Sequence, residues 1–468
     1  MEVRVTAEIL RDIIEAERLR AGVPGCAVVV VRRGDVVFID GFGRRHVGND
    51  LPVTPQTLFP IGSSTKTFTA ALLAGLDLDA PIRSYLPDFA LLDPVASEHV
   101  SIRDCLSHRT GLPRHDILWQ AGDGVINRRD LIDALAYLPA NKRFREAYQY
   151  NNLLYIVAGE IAGQLQAGTY EEAVAQRILQ PLAMARTNFS VDETKRDPDH
   201  AKPYLRAADD ELHEIPFARL DLAGPAGGLN STASDLVPWL LTLTGHGVEG
   251  RGPLLSNGIL DQMRTPAIDM PADSSGAITA IGYGLGQMLE TYRGHHVAHH
   301  GGNIDGFSSQ ILTRDDGIGI ALLSNLHATS FRDSLPYYLL DAIDGVPSPD
   351  HGSYFRDRLK ARFAAADAAR ALRAPESPAP PSRPLADYAG RYQHPGYGEI
   401  VVDRSLAWSY RGLSGAMHHH HAEVFEAVTT LNGAEVGLPA EFTPDALHMR
   451  LELMVPPIRF ARCATIRQ

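Results

Sequence analysis

Cysteine is scarce in this chain of 468 residues, which contains only Cys26, Cys105 and Cys463. The three are far apart and odd in number, and no two form a Cys-x-x-Cys pair. We therefore interpret them as small buried hydrophobic residues and exclude a disulfide framework or a thiolate metal site. A cysteine nucleophile is the alternative, but the serine constellation described below already supplies a nucleophile.

An excess of basic charge is also absent. The chain has 44 Lys and Arg residues against 56 Asp and Glu residues, a formal charge of −12. Since non-specific binding to nucleic acids or anionic membranes needs a basic face, we expect neither partner. The sequence lacks long apolar runs, and its N-terminus lacks a basic stretch followed by an apolar one. We expect a cytoplasmic protein, which disfavours a role in the cell wall.

Two motif classes are missing as well. The chain has no Gly-x-Ser-x-Gly elbow, which argues against an α/β-hydrolase fold, and no His-Glu-x-x-His metal motif. Histidines cluster at 295–300 and 418–421, but consecutive residues of a strand point to opposite faces and cannot share one ion. We predict no metal and interpret residues 418–421 as a partly exposed barrel strand.

A serine and a lysine at helical spacing are the first sign of chemistry. Ser63 and Lys66 stand three apart, at the start of the apolar run 68–73. On a helix these positions share a face, so the amine can take the hydroxyl proton if burial favours its neutral form. Surface helices contain Ser-x-x-Lys by chance, but a lysine in such an apolar helix indicates a function.

Two further constellations follow along the chain. Tyr150 and Asn152 precede the apolar helical segment 153–158. At a helix entrance both can face one cleft, the phenol as an acid or base and the amide as a ligand for a substrate amide. The alternative for Tyr150 is a half-buried packing residue. Later, Gly301 and Gly302 would allow close backbone approach, as a substrate extended along an edge strand needs.

In this order the motifs resemble those of the penicillin-binding-protein-type serine hydrolases: Ser-x-x-Lys, Tyr-x-Asn and His-x-Gly. That superfamily includes class C β-lactamases, D,D-peptidases, D-aminopeptidases, family VIII esterases and the thioesterases of peptide assembly lines. Here His300 stands where many members have lysine. The resemblance covers about residues 6 to 345, and two further stretches match it, 106–113 and 226–229.

This resemblance implies a role for each motif residue. Ser63 would attack an acyl carbonyl with Lys66 as general base. Tyr150 would relay a proton to the leaving group or activate the second nucleophile, and His300 would support the electrostatics of the phenol. The backbone N–H groups of Ser63 and Asn303 would hold the oxyanion. The expected substrate-binding residues are Asn152, Gly301, Gly302, Asn303 and Arg459, and no cofactor is expected.

Hydrophobic patterning predicts an α+β catalytic domain over residues 1–345. A buried hairpin at 26–39 and strands at 296–298, 309–313 and 318–324 would form one antiparallel sheet from both chain ends. A helical region would be inserted between them. Chains of the resembled family usually have a longer stretch between the nucleophile helix and a Leu-Asp-Leu-Asp turn, whereas here the turn follows Gly75 almost directly. We therefore predict that the end of this helix is shortened.

Beyond residue 345 the pattern changes twice. Residues 346–384 predict a helix that ends in a Pro-rich linker. Residues 385–468 alternate apolar and polar positions, notably at 406–410 and 447–455, which predicts a small antiparallel barrel. The stretch from Tyr388 to Gly398 resembles the lipocalin-like domain that is often appended to this family. Arg459 and Arg462 are surface charges or, alternatively, a carboxylate clamp that reaches the cleft from the barrel, with Arg459 as our choice.

The function that the resemblance implies is acyl transfer from a peptidyl thioester or ester. The favoured hypothesis is a stand-alone thioesterase that releases and cyclises a non-ribosomal peptide. The alternative is a hydrolytic esterase, D-peptidase or D-aminopeptidase of the same superfamily. The expected partner is a small peptide or ester substrate, free or carrier-bound. A catalytically dead binding module is disfavoured by the intact motif residues, and the oligomeric state stays open.

Overall fold

The computed structural model describes residues 5–121, 126–206, 211–248, 252–271, 277–372, 379–431 and 434–464. The first half of the predicted Pro-rich linker, residues 373–378, lies outside the described residues. Among the helices that are described, none combines the length and the apolar character that a membrane crossing requires.

The described residues form helices and strands in a mixed order. The helices are α1 (Ala7–Arg20), α2 (Lys66–Leu73), α3 (Pro94–His99), α4 (Ile102–Leu106), α5 (Ile117–Gln120), α6 (Arg128–Ala134), α7 (Leu153–Leu165), α8 (Tyr170–Val174), α9 (Val191–Arg196), α10 (Gly224–Gly227), α11 (Ala233–Leu243), α12 (Asn257–Arg264), α13 (Phe331–Asp344) and α14 (His351–Arg370). The strands are β1 (Gly25–Arg32), β2 (Asp35–His46), β3 (Leu51–Pro52), β4 (Phe59–Pro60), β5 (Tyr204–Arg206), β6 (Leu212–Glu214), β7 (Asn230–Ser231), β8 (Ile278–Tyr283), β9 (Met288–Tyr292), β10 (His295–Ile304), β11 (Phe307–Arg314), β12 (Ile318–Ser324), β13 (Gly390–His394), β14 (Gly398–Val402), β15 (Ala407–Tyr410), β16 (Leu413–His421), β17 (Val424–Leu431), β18 (Ala434–Phe442), β19 (Ala446–Met449) and β20 (Ile458–Arg462).

The large sheet joins the two ends of the predicted catalytic region. Its eight strands lie in the order β3-β2-β1-β12-β11-β10-β9-β8, and neighbouring strands are antiparallel. The early strand β1 pairs with the late strand β12, with Cys26 opposite Ser324. The antiparallel sheet, the helical insertion between its halves and the C-terminal barrel are therefore confirmed.

The sheet is covered on both faces. Val28 and Val30 of β1 belong to a buried core with residues of α1 and α13. Val29 and Val31 alternate to the opposite face, where α11 packs against β1 and β12. All four valines are fully buried, which explains why β1 is a continuous apolar run rather than an alternating one.

By its internal contacts the chain divides into two compact units, and each consists of segments that are not contiguous in sequence. The sheet unit comprises Met1–Ala80, Ser101–His108 and Leu154–Lys360. The barrel unit comprises Pro81–Val100, Arg109–Leu153 and Ala361–Gln468. The domain boundaries at 345 and 384 stay predictions.

The C-terminal strands close into a barrel in the order β13 to β20, with β13 paired to β20. Trp408 and Tyr410 point inward as the alternation predicts. The predicted alternation over 447–455 is wrong in its second half, because β19 ends at Met449. The chain leaves the ladder there, and the Glu452 carboxylate accepts a hydrogen bond from a backbone N–H at residue 115.

The remaining sequence expectations have mixed outcomes. Helix α2 ends at Leu73, as its predicted trimming requires. Cys26 and Cys105 are buried, and burial raises the pKa of both thiols, which makes them poor nucleophiles. The expectation for Cys463 is wrong, since this residue is only half-buried at the end of the last barrel strand.

Candidate active site

Ser63 lies in a tight helical turn, Gly62–Thr65, that leads directly into α2. In a turn of this kind the side chains of residues i and i+3 nearly eclipse each other, which brings Lys66 over Ser63. The Lys66 Nζ atom is 3.1 Å from Ser63 Oγ. Ser63 as a residue is only half-buried.

Lys66 is fully buried, and its surroundings hold the amine in place. Its Nζ donates to the carbonyl oxygen of Ala226 at 2.6 Å and lies 5.0 Å from the centre of the Tyr155 ring. The Tyr155 hydroxyl donates to Leu106 O at 2.6 Å, so the ring has a defined position. The amine is thus directed at Ser63 by contacts that sequence reasoning did not foresee.

Strand β10 runs beside the nucleophile turn and is hydrogen-bonded to it. Ser64 Oγ donates to His300 O at 3.0 Å, and Ser309 Oγ of β11 donates to Ile61 O at 2.6 Å. These buried hydroxyl groups tie the turn to two neighbouring strands of the sheet. Ser63 and the predicted His-Gly-Gly strand are therefore brought together within one unit.

Gly302, the second glycine of the β10 pair, lies against the backbone of Ile61. A Cβ atom at Gly302 would lie 1.9 Å from the carbonyl oxygen of Ile61, so Gly302 allows the protein's own backbone to approach. The pairing of β10 with β9 ends at His299, so on that side the second half of β10 has no hydrogen-bonded neighbour strand among the described residues. The predicted substrate-binding roles of Gly301, Gly302 and Asn303 along this edge stay predictions.

Gly302→Ala should therefore lower both the thermal midpoint and the activity. The added methyl group must push β10 away from the nucleophile turn, and overpacking of this kind costs about 1–3 kcal/mol. The matched control is Gly252→Ala, whose added Cβ meets no described atom within 4 Å. Thermal unfolding of the three proteins tests this, and an unchanged midpoint for the Gly302 variant would contradict it.

His300 is a neutral imidazole in this setting. Burial, together with the nearby charge of Lys66, holds its pKa well below the usual value of 6.5. Its Nδ1 donates to the carbonyl oxygen of Gly301 at 2.8 Å, which assigns the proton to Nδ1 and leaves Nε2 as an acceptor. His300 therefore offers a hydrogen-bond acceptor, whereas a lysine at this position would offer a cation.

The other histidines of β10 do not share an ion with His300. His299 points to the opposite face, where its Nε2 lies 3.4 Å from a carboxylate oxygen of Glu290. At the start of the strand, His295 pairs with Asp315 at 3.0 Å, and these two with Asp316 bring three ligand atoms within 4.8 Å of one another. Surface ion pairs commonly have this geometry, and the absence of a metal stays a prediction.

Tyr150 and Asn152 belong to the barrel unit. In sequence they precede α7, as predicted. The Arg114 guanidinium lies 4.7 Å from the centre of the Tyr150 ring. The Asn152 amide nitrogen donates to Asp116 Oδ1 at 2.9 Å, which orients that side chain. Their proposed action on the Ser63 acyl group stays a prediction.

Arg459, the predicted carboxylate ligand, also lies in the barrel unit. It is exposed on β20 and pairs with Asp445 at 2.6 Å. Arg462 instead donates to the backbone oxygens of Asp387 and Ala389 at 2.9 and 2.8 Å, a structural contact within the barrel.

Sequence reasoning missed several residues around the nucleophile. Ala226 contributes only a carbonyl oxygen, so its side chain carries no signal, although its stretch 226–229 matched the resemblance. His108, in the other matching stretch, packs between the rings of Tyr155 and Tyr283 at 5.1 and 4.9 Å. These two stretches are the signal that could have indicated the lysine environment.

The comparison with protein families agrees with this geometry. The profile described as Beta-lactamase matches residues 10–343, and this chain therefore belongs to the beta-lactamase family of penicillin-binding-protein-type serine hydrolases. A second profile, described as a domain of unknown function (DUF3471), matches residues 374–460, which contain most of the barrel. The family assignment made from the motifs is confirmed.

Individual relatives refine this placement. The protein named unguisins hydrolase ungD of Aspergillus violaceofuscus is 30% identical over 483 residues, covering 92% of this chain and 84% of the relative. The protein named unguisins hydrolase ungD' of Aspergillus campestris is 28% identical over 470 residues, covering 93% and 86%.

Solved structures support the fold. The octameric penicillin-binding protein homologue of Pyrococcus abyssi has a TM-score of 0.62 at 23% identity and covers 97% of this chain and 99% of that one. The D-amino acid amidase of Ochrobactrum anthropi has a TM-score of 0.58 at 24% identity, covering 76% and 99%.

Proposed function

We propose that this protein is an acyl-enzyme hydrolase that cleaves an ester, thioester or amide bond of a peptidyl substrate, with Ser63 as the nucleophile. The observation that carries the proposal is the 3.1 Å contact between Lys66 Nζ and Oγ of the half-buried Ser63. A lysine held in a buried, largely apolar site is suited to act as a general base on such a hydroxyl.

The reaction proceeds through two acyl transfers. Ser63 Oγ bonds to the acyl carbon while its proton passes to Lys66. The carbonyl oxygen becomes an oxyanion held by the N–H groups of Ser63 and Asn303, and the loss of one such donor typically costs on the order of 100- to 1000-fold in rate. The bond to the leaving group breaks, and Tyr150 supplies the proton that the leaving amine, alcohol or thiol takes.

His300 acts on the charge of these groups. As a neutral imidazole beside Lys66, His300 adds no positive charge to the site. Its Nε2 lone pair favours the protonated form of the Tyr150 phenol, the group whose electrostatics His300 is proposed to support. Asn152, oriented by Asp116, binds a backbone amide of the substrate. Water then attacks the acyl carbon of the Ser63 ester and gives its proton to the Tyr150 oxygen. The bond to Ser63 Oγ breaks, Lys66 returns its proton to that oxygen, and the acid is released.

The acyl acceptor distinguishes the remaining possibilities. Relatives named as hydrolases of unguisins favour water and a peptidic substrate. Release of a non-ribosomal peptide as a cyclic product uses the same acyl-enzyme with an internal amine as acceptor, and it is the second candidate. Simple esterase, D-peptidase and D-aminopeptidase activities are narrower forms of the first.

A linear peptidyl thioester separates the two acceptors. We expect the enzyme to convert it to the linear acid, which mass spectrometry distinguishes from the cyclic peptide by the mass of one water. Substrates that differ only in the configuration of the residue at the scissile carbonyl test for D-preference. Cyclic product as the main species would favour the second candidate, and no product above the rate of a Ser63→Ala control would refute both.

Arg459→Ala should change substrate selectivity, if this residue grips a substrate carboxylate. A hydrogen bond to a charged group contributes roughly 1.5–3 kcal/mol. The loss of kcat/KM for a peptide with a free C-terminal carboxylate should therefore exceed the loss for a neutral aryl ester by a factor of about ten or more. Arg462→Ala is the control, because that guanidinium already serves backbone oxygens. Equal losses on the two substrates would identify Arg459 as a surface residue.

A further inference from the structure

Residues 113–121, which we call the bridge segment, contact both the barrel and the Tyr150 motif within the barrel unit. The segment follows the Gly111-Leu112 stretch and contains the short helix α5. It holds none of the residues assigned above to bond making or breaking. Its side chains are nevertheless mostly buried and bonded in two directions.

On the barrel side, His115 is the central contact. The residue is fully buried with a φ of 47°, a backbone conformation that few residues other than glycine adopt, so its surroundings must hold it there. Its backbone N–H donates to Glu452 Oε2 at 2.7 Å, and its Nδ1 lies 2.7 Å from the Tyr397 hydroxyl. Both partners belong to the barrel.

The proton of the His115 ring can be assigned. Nε2 lies 3.0 Å from the carbonyl oxygen of Pro139, which only accepts, so Nε2 carries the proton. Nδ1 therefore accepts from the Tyr397 hydroxyl. Burial lowers the pKa of His115 and favours this neutral form. The tyrosine hydroxyl is thus a donor that the histidine requires.

The end of the bridge segment has a second attachment to the barrel. Arg411 Nη1 donates to Leu118 O at 2.9 Å, and the backbone N–H of Gly412 donates to Ala121 O at 2.9 Å. Arg411 Nη2 also donates to Tyr397 O at 3.1 Å, which links the two attachments.

The opposite side of the bridge segment holds the Tyr150 motif. Arg114 stacks over the Tyr150 ring, and its Nε pairs with Asp116 Oδ2 at 2.6 Å. Asp116 Oδ1 accepts from the Asn152 amide at 2.9 Å. In addition, the Asn151 amide donates to the carbonyl oxygen of Pro113. Each residue of the 150–152 motif thus has a partner in the segment.

We propose that the barrel positions the Tyr150 and Asn152 side chains through the bridge segment, with Tyr397, His115 and Asp116 as positioning residues. The catalytic consequence rests on the proposed function, in which Tyr150 transfers a proton and Asn152 binds the substrate amide. Because a displacement of about 1 Å can cost on the order of 100-fold in rate, a rigid support for these two side chains has direct value for catalysis.

The test is Tyr397→Phe, which removes only the hydroxyl group that donates to His115. Its matched control is Tyr392→Phe, since Tyr392 is an equally buried barrel tyrosine whose hydroxyl donates to Tyr388 O at 2.7 Å, wholly inside the barrel. Hydrogen–deuterium exchange followed by mass spectrometry should show faster exchange of peptides covering 113–121 and 148–153 in the Tyr397 variant, and parental exchange there in the control.

Kinetics provide the second readout. Tyr397→Phe should lower kcat about tenfold and leave KM within about twofold, because a misplaced proton donor slows the chemical step more than binding. In a Tyr150→Phe background, which lacks the phenol to be positioned, the same change should cost about threefold or less. The Tyr392→Phe control should leave kcat at its parental value in both backgrounds.

Each outcome decides a separate statement. Unchanged exchange of both peptides in Tyr397→Phe would overturn the inference, whatever happens to kcat. Faster exchange with a parental kcat would overturn it as well, provided that Tyr150→Phe is impaired. A fully active Tyr150→Phe protein would instead refute the proposed role of Tyr150, and the exchange data would still decide whether the barrel holds the motif. Arg411→Lys, which withdraws the contact to Leu118, replaces Tyr397→Phe if the latter fails to fold.

Discussion

Ser63→Ala should abolish formation of an acyl-enzyme. The loss of a catalytic nucleophile typically lowers turnover on the order of 10⁵- to 10⁶-fold, since only binding and oxyanion contacts remain. The substitution removes one half-buried oxygen atom, so the fold should survive. Intact-mass spectra after addition of an activated acyl substrate should show an adduct on the parent protein and none on the variant.

The neighbouring serine provides the control for this experiment. Ser64 is fully buried and donates to His300 O, so Ser64→Ala loses a structural hydrogen bond but keeps the nucleophile. This control should still form the adduct. If the Ser63 variant acquired the acyl mass as well, the nucleophile would have to be sought elsewhere in the chain.

Tyr150→Phe should reduce kcat by a factor of about 100 to 10,000, the range typical of a lost general acid or base. The aromatic ring, and with it the stacking under Arg114, is retained. The control is Tyr148→Phe, because burial raises the pKa of Tyr148 and makes its phenol a poor proton donor. Steady-state kinetics of the three proteins on one peptidyl ester test the assignment. Equal rates for the two variants would mean that Tyr150 has only a packing role.

Much of the fold was predictable because the helices and strands are specified by residue patterns within each element. The run of valines in β1 predicts a buried strand, and the alternation at Trp408 and Tyr410 predicts a strand of the barrel wall. Threonine is a residue type preferred at helix N-caps, and the Thr6 side chain accepts the N–H of Ile9 at the start of α1. In each case the residues that specify the element lie within it.

The surroundings of the site were less predictable, because they depend on contacts between distant segments. The carbonyl oxygen of Ala226 that holds Lys66 has no side-chain signature. The bridge segment is bonded through backbone groups, through one buried histidine and through Glu452, which lies in a stretch whose alternation predicted a strand. The tight contact between Gly302 and Ile61 likewise joins residues that are far apart in sequence. Such pairings arise only once the unit that contains both partners has folded.

The pairing of β1 with β12 has a consequence for how the protein is made. The ribosome releases β1 early, yet its partner strand β12 emerges about 300 residues later. The four valines of β1 therefore cannot reach their buried positions until most of the chain has been synthesised. Contacts so distant in sequence form slowly, because a long loop must close first. Until then β1 has an unpaired apolar edge, and nascent chains that end before β12 expose a surface prone to self-association. We therefore expect chaperones to bind the nascent chain mainly through the unpaired strand of the sheet. The barrel should need them much less, because most of its strands pair with the strand that follows directly in sequence.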